Sequence, residues 1–317
     1  MNMLINDNCT KASIIDIGSS SVRFVTAGFD DDLNMSILHY SGEITELSKD
    51  LHNTGILNPH GVSRTIGVID RFIKSLSEKD RKFVEAIGTE AFRKASNGML
   101  FMRQLQDLFN ISVEILTPIR EGGLALLGSS DILCEREPLI DLGGGSTEFI
   151  TNGSRKTLEV KSFPLGAAYN ALHIDFSLPI SFDVLSMLRN TYRDIVSSWK
   201  SELNVVTETG VVLGGTITTI AAIVKSIRSY KLGCVHGSVL TPFQITKILE
   251  FLARMNAGKR ETVHGMEKGR GKLIINGTLL LDAICDVFQF RKIKVSEYGI
   301  VFGKLQEIKN KYFLKNC

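Results

Sequence analysis

Short apolar runs open the chain, and stretches with apolar residues every three or four positions follow them. The runs Ala12–Ile17, Val22–Phe29 and Met35–Ile44 are rich in β-branched and aromatic residues and predict three strands, with Asp30-Asp31-Asp32 as a hairpin turn. Asn58-Pro59 is a helix start, because asparagine caps and proline suits the first helical position. Val62, Ile66, Ile69, Phe72, Ile73 and Leu76 then repeat at helical spacing. A strand at Phe83–Ile87, a turn from Gly88 to Asn97 leading into a helix, a helix over Met99–Phe109 and a strand at Val113–Leu116 come next. Thr117-Pro118 repeats the cap-and-proline signal for a helix through Gly128 that leads between the halves.

The second half starts again with strands at Leu139–Leu142, Thr147–Thr151 and Thr157–Phe163, with a turn at Asn152-Gly153. A long amphipathic helix over Ser181–Trp199 follows, then a strand at Val211–Leu213 that runs through Gly214-Gly215-Thr216 into an apolar helix. Helices near Pro242–Arg254 and Leu273–Phe288, a strand at Lys292–Val295 and a helix over Gly299–Tyr312 complete the pattern. Strands followed by alternating helices and strands, done twice, predict a two-lobed α/β protein. The expected lobes are residues 1–125 and 126–300, with the C-terminal helix at 301–317 a candidate to pack on the first. The cleft between lobes is the expected site.

Composition narrows this only a little. The 317 residues can bury a sizeable core, and 44% hydrophobic with 22% charged residues is ordinary for a folded domain pair. A net charge of +3 gives no argument for nucleic acid. The five cysteines are scattered without C-x-x-C spacing, which argues against a zinc site and fits a reducing cytoplasm. No apolar run reaches the ~18 residues needed to span a bilayer, and no signal peptide is legible, so a membrane partner is not expected.

Two similar acid-led turns carry the candidate chemistry: Asp16-Ile17-Gly18-Ser19-Ser20-Ser21 and Asp141-Leu142-Gly143-Gly144-Gly145-Ser146-Thr147-Glu148. Each follows an apolar run. Glycine lets an anion approach backbone N–H groups, so such turns can hold phosphate oxygens. The leading aspartate would repel phosphate directly, and makes sense with a divalent cation or its bound water in between. Two copies suggest duplication. The bland rival for each turn alone is an ordinary strand-end turn.

The order of motifs resembles the exopolyphosphatase / guanosine pentaphosphate phosphohydrolase family. Asp16 to Arg23 resembles its first phosphate loop, and Asp141 to Glu148 its second. Gly88 to Asn97, Val113 to Gly122, Ser162 to Ala167, Leu213 to Thr216 and Val295 to Gly299 resemble five further blocks, so seven lie in order over nearly the whole chain. The resemblance implies two ribonuclease H-like lobes of the actin / sugar kinase / heat-shock chaperone ATPase superfamily, and the short, two-lobed type of chain. It implies hydrolysis of terminal phosphate from polyphosphate, guanosine pentaphosphate or both, with magnesium. Carried over by position, Glu121 is the general base, while Asp141 and Glu148 hold magnesium and Asp16 helps position metal or water. Gly18, Ser19, Ser20, Ser21, Gly143, Gly144, Gly145, Ser146 and Thr147 supply phosphate-binding groups, Arg93 pairs with a phosphate oxygen, and Gly214, Gly215 and Thr216 form a third substrate-binding turn. A homodimer is compatible with the resemblance.

Some positions depart from the family pattern. Ser20 stands for asparagine, Lys272 for aspartate, and Gly123, Tyr169 and Val301 for arginines. Fewer planar forks for phosphate imply altered substrate preference or lower turnover. The competing functions are a non-hydrolytic alarmone or nucleotide sensor, binding guanosine tetraphosphate for example, and a kinase using Gly214-Gly215-Thr216 near adenosine. The basic stretch Asn256–Lys272, with Lys259, Arg260, His264, Lys268 and Arg270, reads as a solvated loop before it reads as a polyanion track. His236 reads first as a satisfied turn residue, and Phe288 and Phe290 as core.

Overall fold

The structure, a computed structural model, describes residues 10–30, 32, 34–81, 83–152, 157–168 and 174–312. Asp31 of the first expected hairpin turn, Gly153 of the second, Tyr169, and residues 313–317 of the expected C-terminal helix lie outside the described residues.

In chain order the elements are β1 (Thr10–Ile17), β2 (Ser21–Phe29), β3 (Met35–Ile44), α1 (Leu51–Thr54), α2 (Pro59–Ser75), α3 (Glu78–Arg81), β4 (Val84–Gly88), α4 (Glu90–Lys94), α5 (Gly98–Phe109), β5 (Val113–Ile115) and α6 (Pro118–Gly128). They continue with β6 (Leu139–Leu142), β7 (Thr147–Asn152), β8 (Leu158–Phe163), α7 (Phe182–Trp199), β9 (Thr209–Leu213), α8 (Gly215–Val224), β10 (Val239–Leu240), α9 (Pro242–Ala253), α10 (Ala257–Arg260), α11 (Leu273–Val287), β11 (Lys292–Ser296) and α12 (Ile300–Tyr312). The chain divides into two compact units, residues 1–124 with 300–317, and residues 125–299. Among the described residues no helix is long and apolar enough to cross a membrane.

The first unit carries a five-stranded sheet in the order β3-β2-β1-β4-β5. β1, β2 and β3 pair antiparallel, and β4 and β5 add parallel to β1. The local chemistry follows the sequence. Asn58 accepts from the Gly61 amide at 2.9 Å, Pro59 opens α2, and α2 buries Thr65, Val68, Ile69 and Phe72. Phe72 stacks on Phe24 of β2 with ring centroids 4.7 Å apart. At the end of the chain, α12 packs on β1 and β2.

The second unit has a six-stranded sheet in the order β10-β11-β9-β6-β7-β8. Read from β8 inward, β8-β7-β6-β9-β11 repeats the antiparallel triplet with two parallel additions seen in the first unit. One side chain at the heart of this unit overturns an expectation. Arg260 of the basic stretch is fully enclosed. Its guanidinium donates to the carbonyls of Leu252 (2.9 Å), Gly271 (3.0 Å), Leu178 (3.2 Å) and Phe176. Glu261 accepts from the amides of Gly269 and Gly271. Residues 256–272 are therefore tied down around a buried cation, and Arg260 is unavailable to a polyanion. Phe288 and Phe290 are buried, as expected.

Candidate functional site

The two acid-led turns have the same construction. In the first, β1 and β2 are joined by a turn closed by the Gly18 amide donating to the Ser21 carbonyl at 3.0 Å. In the second, β6 and β7 are joined by a turn closed by the Gly143 amide donating to the Ser146 carbonyl, also at 3.0 Å. Asp16 and Asp141 occupy matching places, each two residues before the closing glycine on the strand that pairs parallel with the next β-strand of its sheet.

Each turn is held from behind by the segment that follows the third strand of its own sheet. In the first unit Thr45 and Glu46 donate to the Ser20 carbonyl at 2.9 and 3.0 Å, and the Ser48 amide donates to the Ser19 carbonyl at 2.9 Å. In the second unit Ala167 donates to the Gly143 carbonyl at 2.9 Å and Ala168 to the Gly144 carbonyl at 2.8 Å. A trans peptide points its C=O and the next N–H in opposite directions, and no cis bond occurs among the described residues. Pinning these carbonyls therefore turns the amides of Ser20 and Ser21, and of Gly144 and Gly145, to the other side. Gly145 is exposed, and Gly144 and Ser20 are partly so. Consecutive outward amides of this kind bind anions.

Behind the second turn the packing is at backbone contact. A Cβ on Gly166 would come within 2.6 Å of the Gly144 carbonyl. Asn276, buried on α11, donates to the carbonyls of Ala167 (3.0 Å) and Gly166 (3.3 Å), and Tyr192 of α7 hydrogen-bonds its side-chain oxygen. Sequence reasoning passed over both residues; nothing in a helical, apolar-flanked Asn276 announces a partner more than a hundred positions away.

The carboxylates differ between the turns. Asp16 is 6% exposed, its Oδ1 has no hydrogen-bond partner, and burial raises its pKa to about 6 against the opposing pull of Arg23, its cross-strand partner. Asp141 instead faces Glu148 across β6 and β7, and Glu148 accepts from the Ser162 hydroxyl at 2.7 Å. Directly opposed like charges destabilise an antiparallel pair, and a buried carboxylate oxygen without a partner is costly. A cation beside either turn would relieve that turn's own strain. Magnesium commonly takes one or two carboxylates, completing its shell with water and phosphate oxygens, so these residues fit it. Among the described residues no group of three or more His, Cys, Asp or Glu side chains forms a metal cluster.

Glu121 sits in the first turn of α6, its amide donating to the Thr117 carbonyl at 2.8 Å. Arg93 of α4 places Nη1 on the Glu121 carboxylate at 3.1 Å and on the Leu116 carbonyl. The arginine expected on a phosphate thus braces Glu121. Two other expected phosphate ligands have different roles. Thr147 is fully enclosed and its hydroxyl donates to the Leu165 carbonyl at 2.6 Å, fastening the turn to the segment behind it. Thr216 is buried and packs against Gly277.

The third turn is partly exposed and closely packed on one side. Gly214 has φ +113°, and a Cβ there would strike the Leu142 carbonyl. A Cβ on Gly215 would land on the guanidinium of Arg270, itself paired with Glu267. His236 is satisfied on both ring nitrogens: Nδ1 accepts from the Glu297 amide at 3.2 Å, leaving Nε2–H to donate to Asp131 at 2.9 Å. Of the departures from the family pattern, Val301 is buried in α12 and Lys272 is exposed.

Known proteins resemble the chain along nearly its full length. The model of the Ppx/GppA phosphatase family matches residues 25–311. Exopolyphosphatase 2 of Mycobacterium tuberculosis is 24% identical, over 93% of this chain and 97% of its own. The crystal structure of the Aquifex aeolicus member of the Ppx/GppA family superposes with a TM-score of 0.76 at 30% identity, covering 96% of this chain and 99% of that one. An exopolyphosphatase from Cytophaga hutchinsonii shares the fold with a TM-score of 0.81 at 20% identity, over 95% of this chain and 98% of its own. The α/β fold with two sheets expected from the sequence is the one these structures share.

Proposed function

The chain belongs to the Ppx/GppA phosphatase family, and from that premise we propose that it hydrolyses the terminal phosphate of linear inorganic polyphosphate, with guanosine pentaphosphate as a second substrate. The observation that carries this reading is the duplicated turn, with its carbonyls held from behind and its amides of Ser20, Ser21, Gly144 and Gly145 turned outward. Such donors neutralise phosphate oxygens, and phosphoryl transfer to water is mostly a matter of positioning and charge.

Glu121 is the general base in this proposal. Its carboxylate accepts a proton from water as the water oxygen bonds to the terminal phosphorus. The bond from that phosphorus to the bridging oxygen breaks, and that oxygen keeps the electron pair on the shortened chain. Orthophosphate is the other product. A well-placed base contributes about 10²–10⁴-fold. Arg93 keeps the carboxylate oriented through its 3.1 Å contact. Asp141 and Glu148 would hold a magnesium ion, which would supply charge neutralisation to the phosphate when bound. The Asp16 oxygen without a protein partner suits a water or cation at the first turn.

The test is a substrate panel: polyphosphates of graded length and guanosine pentaphosphate, with and without magnesium, read as orthophosphate released. Magnesium-dependent release from polyphosphate is expected. No release from any of them would overturn the proposal. Calorimetric binding of guanosine tetraphosphate without turnover would then support the sensor reading.

A further inference from the structure

The last helix of the chain reaches the helix that carries Glu121. Arg120, the residue before Glu121, donates Nη2 to Glu307 of α12 at 2.5 Å and Nη1 to the second oxygen of the same carboxylate. Its Nε donates to Glu114 of β5 at 3.3 Å. Lys304, one turn before Glu307, is buried and donates to Glu114 and to Glu85 of β4, the latter at 3.0 Å. Burial alone would lower the Lys304 ammonium. The hydrogen bonds and charges of the two glutamates outweigh it and hold the ammonium above the usual lysine range. On the same side, Gly303 lies against the backbone of Leu124, the next turn of α6, where a Cβ would collide with the Leu124 carbonyl. The partners thus form one chain of charges: Glu85, Lys304, Glu114, Arg120, Glu307.

Adjacent residues on a helix point about 100° apart. Arg120 is fixed toward α12 by a two-pronged pair, and Glu121 meets Arg93 of α4. Two anchors on different sides oppose rotation of the first turn of α6. We propose that α12 is a positioning element for the reaction, with Glu307 and Lys304 setting the rotation of α6 and so the place of the Glu121 carboxylate. This rests on the reading of Glu121 as the general base. Neither residue touches substrate in this proposal. Their effect runs entirely through Glu121, and small misplacements of a reacting group are expensive: about 1 Å can cost on the order of 10²-fold in rate.

The experiment combines a kinetic cycle with hydrogen exchange on the full chain. Glu307→Gln keeps the shape but turns the charged pair into a neutral one, and Arg120→Lys keeps the charge but loses the fork. Each is expected to lower kcat on polyphosphate by about 10-fold and leave KM within about 2-fold, because the base acts in the chemical step. In the Glu121→Gln background neither should lower the rate further, since the group they place is gone. Amides of residues 119–124 should exchange faster in Glu307→Gln, while the rest of the first unit keeps its protection. An equal loss in both backgrounds, or exchange unchanged at residues 119–124, would overturn the proposal. A Glu121→Gln protein with wild-type rate would overturn it differently, by removing the base, and the exchange data would still report whether the tether exists.

Discussion

Asp16 sets stability against its proposed role in one side chain. It is enclosed at the end of β1, lacks a partner at Oδ1, and has its pKa raised to about 6 from 3.8. The sign of the consequence is fixed by proton counting. Between those two values the folded state holds the proton and the unfolded state does not, so stability falls as pH rises from about 4 to about 6 and stays lower above. A shift of roughly two units corresponds to a penalty on the order of 3 kcal/mol at neutral pH. Asp16→Asn removes the charge but leaves one amide poorly satisfied, so at pH 7.5 in chelator the variant should be about 1–3 kcal/mol more stable than wild type. The difference should shrink toward pH 4. Urea unfolding at both pH values reads this directly, and equal wild-type and variant stability at pH 7.5 would remove the strain from the account. Arg260 makes the contrasting case. Its charge is buried too, yet four carbonyls receive it, and Arg260→Met should destabilise the protein by about 3–5 kcal/mol because those carbonyls lose their partner.

Among the elements, the strand–turn–strand hairpin works only with its backing segment. Gly166 shows this most sharply, because the atoms a Cβ would meet belong to the Gly143 and Gly144 backbone and cannot swing away. Gly166→Ala should cost about 1–3 kcal/mol of stability and weaken binding of inorganic triphosphate by displacing the Gly144 and Gly145 amides. Calorimetry on a variant shown to be folded by circular dichroism checks it; unchanged affinity would mean that the turn's geometry does not depend on its backing. The turns were legible in the sequence because glycine, serine and aspartate cluster at strand ends, and strand β6 and helix α6 fall on their expected residues for the same local reasons. The backing was illegible. The Ala167–Gly143 and Asn276–Gly166 contacts join segments whose own patterns are ordinary, and only tertiary structure brings them together. The short elements α1, α3, α10 and β10 were missed because four residues or fewer carry no period. The basic stretch misled because composition counts charges without saying which of them is enclosed.

At the scale of the whole molecule, one topology occurs twice, β3-β2-β1-β4-β5 in the first unit and β8-β7-β6-β9-β11 in the second. The two copies have diverged where chemistry is expected. Asp16 faces Arg23 in the first, and Asp141 faces Glu148 in the second. One turn therefore sets a carboxylate opposite a cation and the other sets two carboxylates opposite each other. Glu121 lies in the first unit, beside an Arg120 that is paired with Glu307 of α12, so the proposed base and its proposed support come from distant stretches of the chain. The central claim is that this one carboxylate activates water against a held phosphate chain. Its most direct test is Glu121→Gln, measured for both polyphosphate binding and orthophosphate release at saturating magnesium. The account predicts binding within about 2-fold of wild type and release slowed by at least about 10²-fold. Release at the wild-type rate would contradict it.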